Sequence, residues 1–197
     1  ISRKLLAEPV QQAEICFHGS FLATGKGHGT DRALVAGLLG LAVDDENIPN
    51  SFAIAAERNL TFSIHGIDLG DAHPNTVKMK LTGESGRTLE IVAASIGGGQ
   101  IRICEIDGLN ANFCGEYPTL IVHNLDQPGH VTEVTSMLAH KSVNIATMQL
   151  YRDSRGGNAV MVIECDQEVP QEAIRWLEHL EGIVKVTYLS LEDGLTS

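Results

Sequence analysis

Apolar and polar positions change period along this chain, and the changes mark its elements. In the last eighty or so residues, short apolar runs alternate with segments of helical spacing. Residues 120–123 read as a strand, and residues 128–140 carry Val131, Val134, Met137 and Leu138 on one helical face. Residues 143–151 and 158–164 read as two strands around the turn Asp153-Ser-Arg-Gly-Gly157. A second helix over 170–179 presents Ala173, Ile174 and Leu177, and 183–189 closes as a strand. The order is β-α-β-β-α-β, a ferredoxin-like unit.

The earlier part is less regular. Residues 13–18 alternate as a strand, residues 30–41 form an apolar helix through Ala33, Leu34, Leu38 and Leu41, and 51–58 form another. Residues 60–64, 77–81, 89–95 and 101–106 read as strands, with 77–81 and 89–95 joined by the Gly83-Glu-Ser-Gly86 turn. The pattern predicts an α+β layer with a mainly antiparallel sheet. Fifteen of the 20 glycines precede Tyr117, and residues 108–115 read as irregular. The domain boundary is therefore expected near residue 116, giving domains 1–115 and 116–197.

Composition narrows the classes. With 43% hydrophobic and 20% charged residues, the 197-residue chain has apolar material for one large or two small domains, which excludes disorder, collagen and coiled coil. Lys and Arg number 14 against 25 Asp and Glu, a formal charge of −11 that repels nucleic acid and anionic membranes. Neither is expected as a partner. No apolar run reaches the roughly 18 residues of a bilayer span, so the chain reads as soluble. Cys16, Cys104, Cys114 and Cys165 lie far apart, without a C-x-x-C pair, and no histidine spacing of H-E-x-x-H type occurs. No metal site is expected in this chain, and buried thiols favour a reduced, cytoplasmic setting.

Three segments carry candidate chemistry. Gly19-Ser-Phe-Leu-Ala-Thr-Gly-Lys-Gly-His-Gly-Thr-Asp31 reads as a strand exit passing through alternating glycines into a helix. Gly25, Gly27 and Gly29 let backbone approach a ligand, Lys26 supplies a charge and His28 a titratable donor. Thr30 or Asp31 is placed to cap the helix, whose N-terminus favours an anion such as a carboxylate or phosphate. The segment is not a Walker A loop, because Lys26 is followed by Gly27 rather than Ser or Thr. A flexible loop with a solvated lysine is the other reading. His73-Pro-Asn-Thr76 lies on a turn into a strand, where Pro74 stiffens the backbone and His73 and Asn75 can be presented together; plain turn chemistry is the alternative. Ser95-Ile-Gly-Gly-Gly99 leaves backbone N–H groups uncovered for an anion, or forms a bulge or hairpin.

In the second part, Asn124-Leu-Asp-Gln-Pro-Gly129 after the strand and Val143-Asn-Ile145 opening the next one resemble the ACT domain. That resemblance implies an amino-acid effector site at Asn124, Asp126, Gly129 and Asn144, where free helix N–H groups receive a carboxylate. The alternative is a plain βα turn with Asp126 as helix cap. Taken in order, Gly-Ser-Phe with Lys-Gly-His-Gly-Thr-Asp, then His-Pro-Asn-Thr, then Ser-Ile-Gly-Gly-Gly, then an ACT-like unit, the chain is similar to the beta subunit of bacterial iron–sulfur L-serine dehydratases. The resemblance implies an N-terminal α/β domain of allosteric-substrate-binding type followed by the ACT domain. It further implies a lyase acting on L-serine, with a [4Fe–4S] cluster carried by an alpha partner chain and not by this one. His73 and Asn75 are then catalytic candidates, and Lys26, His28, Thr30 and Ser95 contact substrate or anion; the base is left open. A homodimer through the ACT domain is implied as well. Family members carry a Gly-Pro-Ser-Ser-Ser-His-Thr segment ahead of the first strand, whereas this chain opens at Ile1 in what reads as the following helix, so the chain alone is expected to be silent. The regulatory end of D-3-phosphoglycerate dehydrogenases is a second resemblance, and it implies a non-catalytic amino-acid or anion sensor.

Overall fold

The computed structural model describes residues 1–191. Contacts divide the chain into two compact units, residues 1–102 and 103–197. The elements in order are α1 (Ser2–Leu6), β1 (Val10–His18), α2 (Phe21–Gly27), α3 (Thr30–Leu39), α4 (Ser51–Glu57), β2 (Thr61–Ile67), β3 (Thr76–Gly83), β4 (Thr88–Gly97), β5 (Gln100–Ile106) and β6 (Leu109–Phe113). They continue as β7 (Thr119–Leu125), α5 (His130–His140), β8 (Ile145–Arg152), β9 (Asn158–Cys165), α6 (Gln171–Glu178) and β10 (Ile183–Leu189).

In the first unit the strands lie in the order β2-β1-β3-β4. β1 pairs parallel with β2 and antiparallel with β3, and β3 pairs antiparallel with β4. Alternation sorts the two sheet faces. Ala13, Ile15 and Phe17 of β1, Val77, Met79 and Leu81 of β3, and Leu89 and Ile91 of β4 are buried, as are Leu5, Leu6, Val35, Ala36, Leu38 and Ala55 of the helices. The intervening positions, Gln12, Glu14 and Cys16, then Lys78 and Lys80, then Glu90, form the opposite and mostly polar face. The parallel β1–β2 pair requires the α2–α3–α4 crossover between them, which is why the helices collect on one face.

The Gly19–Asp31 segment differs from its expected form. Most of it is the helix α2, despite the low helix propensity of Gly25 and Gly27. Phe21 packs edge-on against Phe17 with centroids 5.3 Å apart. A Cβ at Gly25 would lie 3.2 Å from Phe17 and 3.4 Å from both Phe21 and Thr30, so this glycine serves close packing rather than a loop. Nor do Thr30 and Asp31 cap α3. Its N-cap is Gly29 with φ 72° and no side-chain cap, and Asp31 accepts from the backbone N–H of Arg32 at 2.9 Å.

The second unit contains the antiparallel sheet β10-β7-β9-β8, in the βαββαβ order that the periodicity predicts. Leu120, Val122, Met161, Ile163 and Val186 pack with Val134, Met137, Leu138, Ala173, Ile174 and Leu177 of α5 and α6. Residues 108–115, expected to be irregular, instead hold β6, which pairs with β5 as a hairpin. β6 packs against β8 and β9, and the Gln149 amide donates to the Asn112 carbonyl at 2.8 Å. Gln149 faces away from the helices, so the hairpin covers the other face of the sheet. This explains why β7 and β9 are buried almost throughout and carry the unbroken apolar runs 120–122 and 159–163: a strand buried on both faces loses its alternation.

Candidate functional site

Strand directions bring the three glycine, histidine and serine segments to one end of the first sheet. β1 runs towards Gly19, Phe17 pairs with Val77, and Thr76 pairs with Ala94. The exit of β1, the start of β3 and the end of β4 are therefore neighbours, although their residues are far apart in sequence. Ser95 N–H donates to the Asn75 carbonyl at 3.0 Å, joining the end of β4 to the start of β3, and Gly19 N–H donates to the Ile67 carbonyl at 3.0 Å, joining the β1 exit to the end of β2. The loop after β2 is held by His18, whose Nδ1 accepts from Leu69 N–H at 3.1 Å. From the sequence His18 reads only as structural or surface, because its partner is set by strand pairing.

Within this end His73 and Asn75 are exposed. His73 Nδ1 accepts from Asn75 N–H at 3.2 Å, and the buried Thr76 hydroxyl donates to the His73 carbonyl at 2.6 Å. A ring whose Nδ1 accepts carries its proton, when neutral, on Nε2, so the turn holds His73 with an N–H donor free. Ser95 is exposed beside Asn75, and Gly97, Gly98 and Gly99 all have positive φ in the β4–β5 turn. Lys26 and His28 are exposed at the end of α2, and Thr30 is half-buried at the start of α3.

In the second unit the predicted effector residues separate. Asn124 is 4% exposed at the end of β7; its amide donates to the Leu125 carbonyl at 2.6 Å, and its Oδ1 has no partner. Asp126 does not cap α5. It accepts from Gly156 N–H at 2.9 Å and from Arg152 at 3.0 Å, tying the β8–β9 turn to the end of β7, and these bonds hold its carboxyl below the usual carboxylate value. The helix begins after Gly129, with φ 111°, at His130. His130 is buried; its Nδ1 meets Glu133 at 3.0 Å and its Nε2 has no partner. Both unpartnered atoms belong to residues beside Gly182, whose carbonyl accepts from Leu125 N–H and whose missing Cβ would meet the His130 ring. Asn144 is elsewhere. It bonds Asp166 at 2.6 Å and Gln167 at 2.7 Å, at the sheet end where Ile145 pairs with Cys165. One chain thus joins Asn124, Asp126 and Gly129 but not Asn144.

A pocket of about 340 Å³ opens on the other side of β7, lined by Asp107, His123, Asn124, Asp153 and Asn158 among others. Burial lowers the His123 imidazole below its ordinary value, against the opposing pull of Asp107. Two of the four thiols, Cys16 and Cys165, are buried. Cys165 is fully buried in the second core, where burial pushes it up to about 11. Among the described residues, the one cluster of potential ligands holds a single cysteine, Cys16, with Glu14 and His65. Sequence spacing missed this trio, because its register is set by β1–β2 pairing. No helix among the described residues is long and apolar enough to cross a membrane.

A helix-backed sheet bringing the β1 exit, the His73–Thr76 turn and the Ser95 segment to one end, followed by a βαββαβ unit, defines a two-unit α+β protein with an ACT-type second unit. Comparison with known proteins specifies it further. Residues 1–105 match the family described as Serine dehydratase beta chain. The chain is 34% identical over 190 residues to the probable L-serine dehydratase, beta chain, of Bacillus subtilis, covering 96% of this chain and 86% of that one. It is equally 34% identical to the L-serine dehydratase, beta chain, of Peptoniphilus asaccharolyticus, over 97% of this chain and 86% of that one. The chain belongs to the serine dehydratase beta chain family. D-3-phosphoglycerate dehydrogenase of Bacillus subtilis is 30% identical over 94% of this chain, but only 35% of the dehydrogenase is covered.

Proposed function

We propose that this chain is the beta subunit of an L-serine ammonia-lyase, which works with an alpha subunit carrying a [4Fe–4S] cluster to convert L-serine to pyruvate and ammonia. The observation that carries the reading is the meeting of the β1 exit, the His73–Thr76 turn and the Ser95 end of β4 at one sheet end in a chain of this family. Elimination of water from serine needs the carboxylate held, the α-proton removed and the hydroxyl assisted as it leaves. Lys26 and His28 supply cationic or donor contacts to the carboxylate, with Thr30 and Ser95 as neutral donors. His73, with its Nε2–H presented, and Asn75 orient the reacting serine or pass a proton to it. In this reading the partner's cluster assists the leaving hydroxyl, and this chain's residues bind and orient the serine.

In the second unit we assign an amino-acid effector to the end of β7 and the start of α5, where Asn124 Oδ1 and His130 Nε2 lack partners. A homodimer through this unit is part of the proposal, since Asn144, at the opposite end of the sheet from Asn124, would reach such a ligand only from a second copy. The test is reconstitution of the chain with a cluster-bearing alpha subunit under anaerobic conditions, followed by pyruvate formation from L-serine. Turnover that needs both chains and collapses in Lys26→Ala or His73→Ala supports the reading. Complex formation without turnover, or serine binding by this chain with no partner, favours the sensor module that the dehydrogenase relatives suggest.

A further inference from the structure

The polar face of the first sheet carries a cluster that the serine chemistry does not use. Glu14 and Cys16 stand two residues apart on β1, so their side chains share a face. On the neighbouring strand, the β1–β2 register sets Cys16 opposite His65 and Glu14 opposite Ser63. His65 Nε2 lies 3.3 Å from Glu14 Oε1, and Cys16 Sγ lies 3.9 Å from the same oxygen. One donor atom from each of the three residues falls within 4.8 Å of the other two.

We propose that Glu14, Cys16 and His65 form a site for a borderline-soft divalent cation of the Zn²⁺ class. Two of the three donor separations lie close to the ion's demands. A tetrahedral Zn²⁺ with N and O donors at about 2.0–2.1 Å and S at about 2.3 Å sets N and O about 3.3 Å apart, and S and O about 3.5 Å apart. The first separation is already met, and the second is reached by a shift of about 0.4 Å. One thiolate, one imidazole and one carboxylate form the mixed donor set that selects zinc over magnesium or calcium.

Glu14 and His65 are about half-exposed, so a fourth position on the ion is open to water. A pocket of about 480 Å³ borders the Glu14 side of the cluster and is lined also by Ser63 and Lys80, but not by Cys16 or His65. The Ser63 hydroxyl lies 3.4 Å from His65 Nε2 and can hold such a water. Two cations face the cluster from β3, Lys78 opposite Cys16 and Lys80 opposite Glu14. Glu90 of β4 takes up much of their charge, at 2.6 Å from Lys78 and 3.7 Å from Lys80. A thiolate and a carboxylate then balance a dication. Because β2 is the edge strand of this unit's sheet, the ion would clamp it to β1, stabilising the folded chain by binding it in preference to the unfolded one.

Titration of the full chain with Co²⁺, then displacement by Zn²⁺, tests the site. The expected result is one equivalent of Co²⁺ with a thiolate-to-cobalt charge-transfer band, and a Tm that rises with Zn²⁺. Cys16→Ala abolishes the band; Glu14→Gln and His65→Asn, both half-exposed positions where folding is not at stake, weaken binding by roughly tenfold or more. Absence of the band in the unaltered chain, or binding undiminished in the three variants, overturns the assignment.

Discussion

Replacing Gly182 by alanine is expected to destabilise the second unit through two separable effects. Gly182 has φ +80°, where an L side chain costs about 1–2 kcal/mol. The added Cβ would also lie 2.5 Å from His130 Nε2 and 2.7 Å from Cε1. His130 is 7% exposed and tied through Nδ1 to Glu133, so its ring cannot swing aside without losing that bond. Forced repacking of this kind costs about 1–3 kcal/mol. The substitution therefore totals about 2–5 kcal/mol in the native background. In a His130→Ala background the contact is gone and the backbone strain of about 1–2 kcal/mol remains. The coupling of about 1–3 kcal/mol is read from a double-mutant cycle. Urea unfolding followed by Trp176 fluorescence reports it, since this lone tryptophan lies on α6 of the affected unit. Equal costs for Gly182→Ala in the two backgrounds would refute the contact between Gly182 and His130, and with it the packing of α5's first turn described above.

Other outcomes follow from the same packing. Leu138→Ala, at a fully buried position under the second sheet, is expected to cost about 2–5 kcal/mol in the same urea assay. Gly25→Val overpacks against Phe17, Phe21 and Thr30 and should cost about 1–3 kcal/mol, seen as faster hydrogen exchange in β1 and α2. His123 is held neutral by burial, so the unfolded state binds the extra proton below pH 6.5; its stabilising contribution is whole above that pH and is lost as pH falls towards the depressed folded value. Calorimetric Tm should drop between pH 7.5 and 5, and the drop should shrink in His123→Leu. Asp126 and Asp153, held down chiefly by hydrogen bonds from Gly156 and Asn158, act in a lower window, with stability lost as pH falls below about 3.8. The corresponding single Asn variants should flatten the acid limb of the same curve.

Much of this protein is legible in the order of its residues. Helical spacing through Val134, Met137 and Leu138, apolar runs in β7 and β9, and turn residues between them place the second unit's elements within a few positions, because a buried stripe must repeat with the period of the element that carries it. The same reading misplaced α2 and β6. Glycines at 25 and 27 argue locally for a loop, yet Phe21 against Phe17 makes a helix of it, and the 108–115 stretch has no alternation until the sheet it covers is known. His73, Asn75 and Ser95 could be singled out as chemistry, but only antiparallel pairing of β3 with β1 and β4 puts their segments at one sheet end. The same holds for Glu14, Cys16 and His65, whose ligand spacing exists in the β1–β2 register and nowhere in the linear order. Asn144, grouped with Asn124 by motif, is set at the far end of the sheet by strand direction. Local periodicity is written residue by residue, whereas a site joins residues from strands that pair across long loops, and that pairing is decided by burial of the whole sheet.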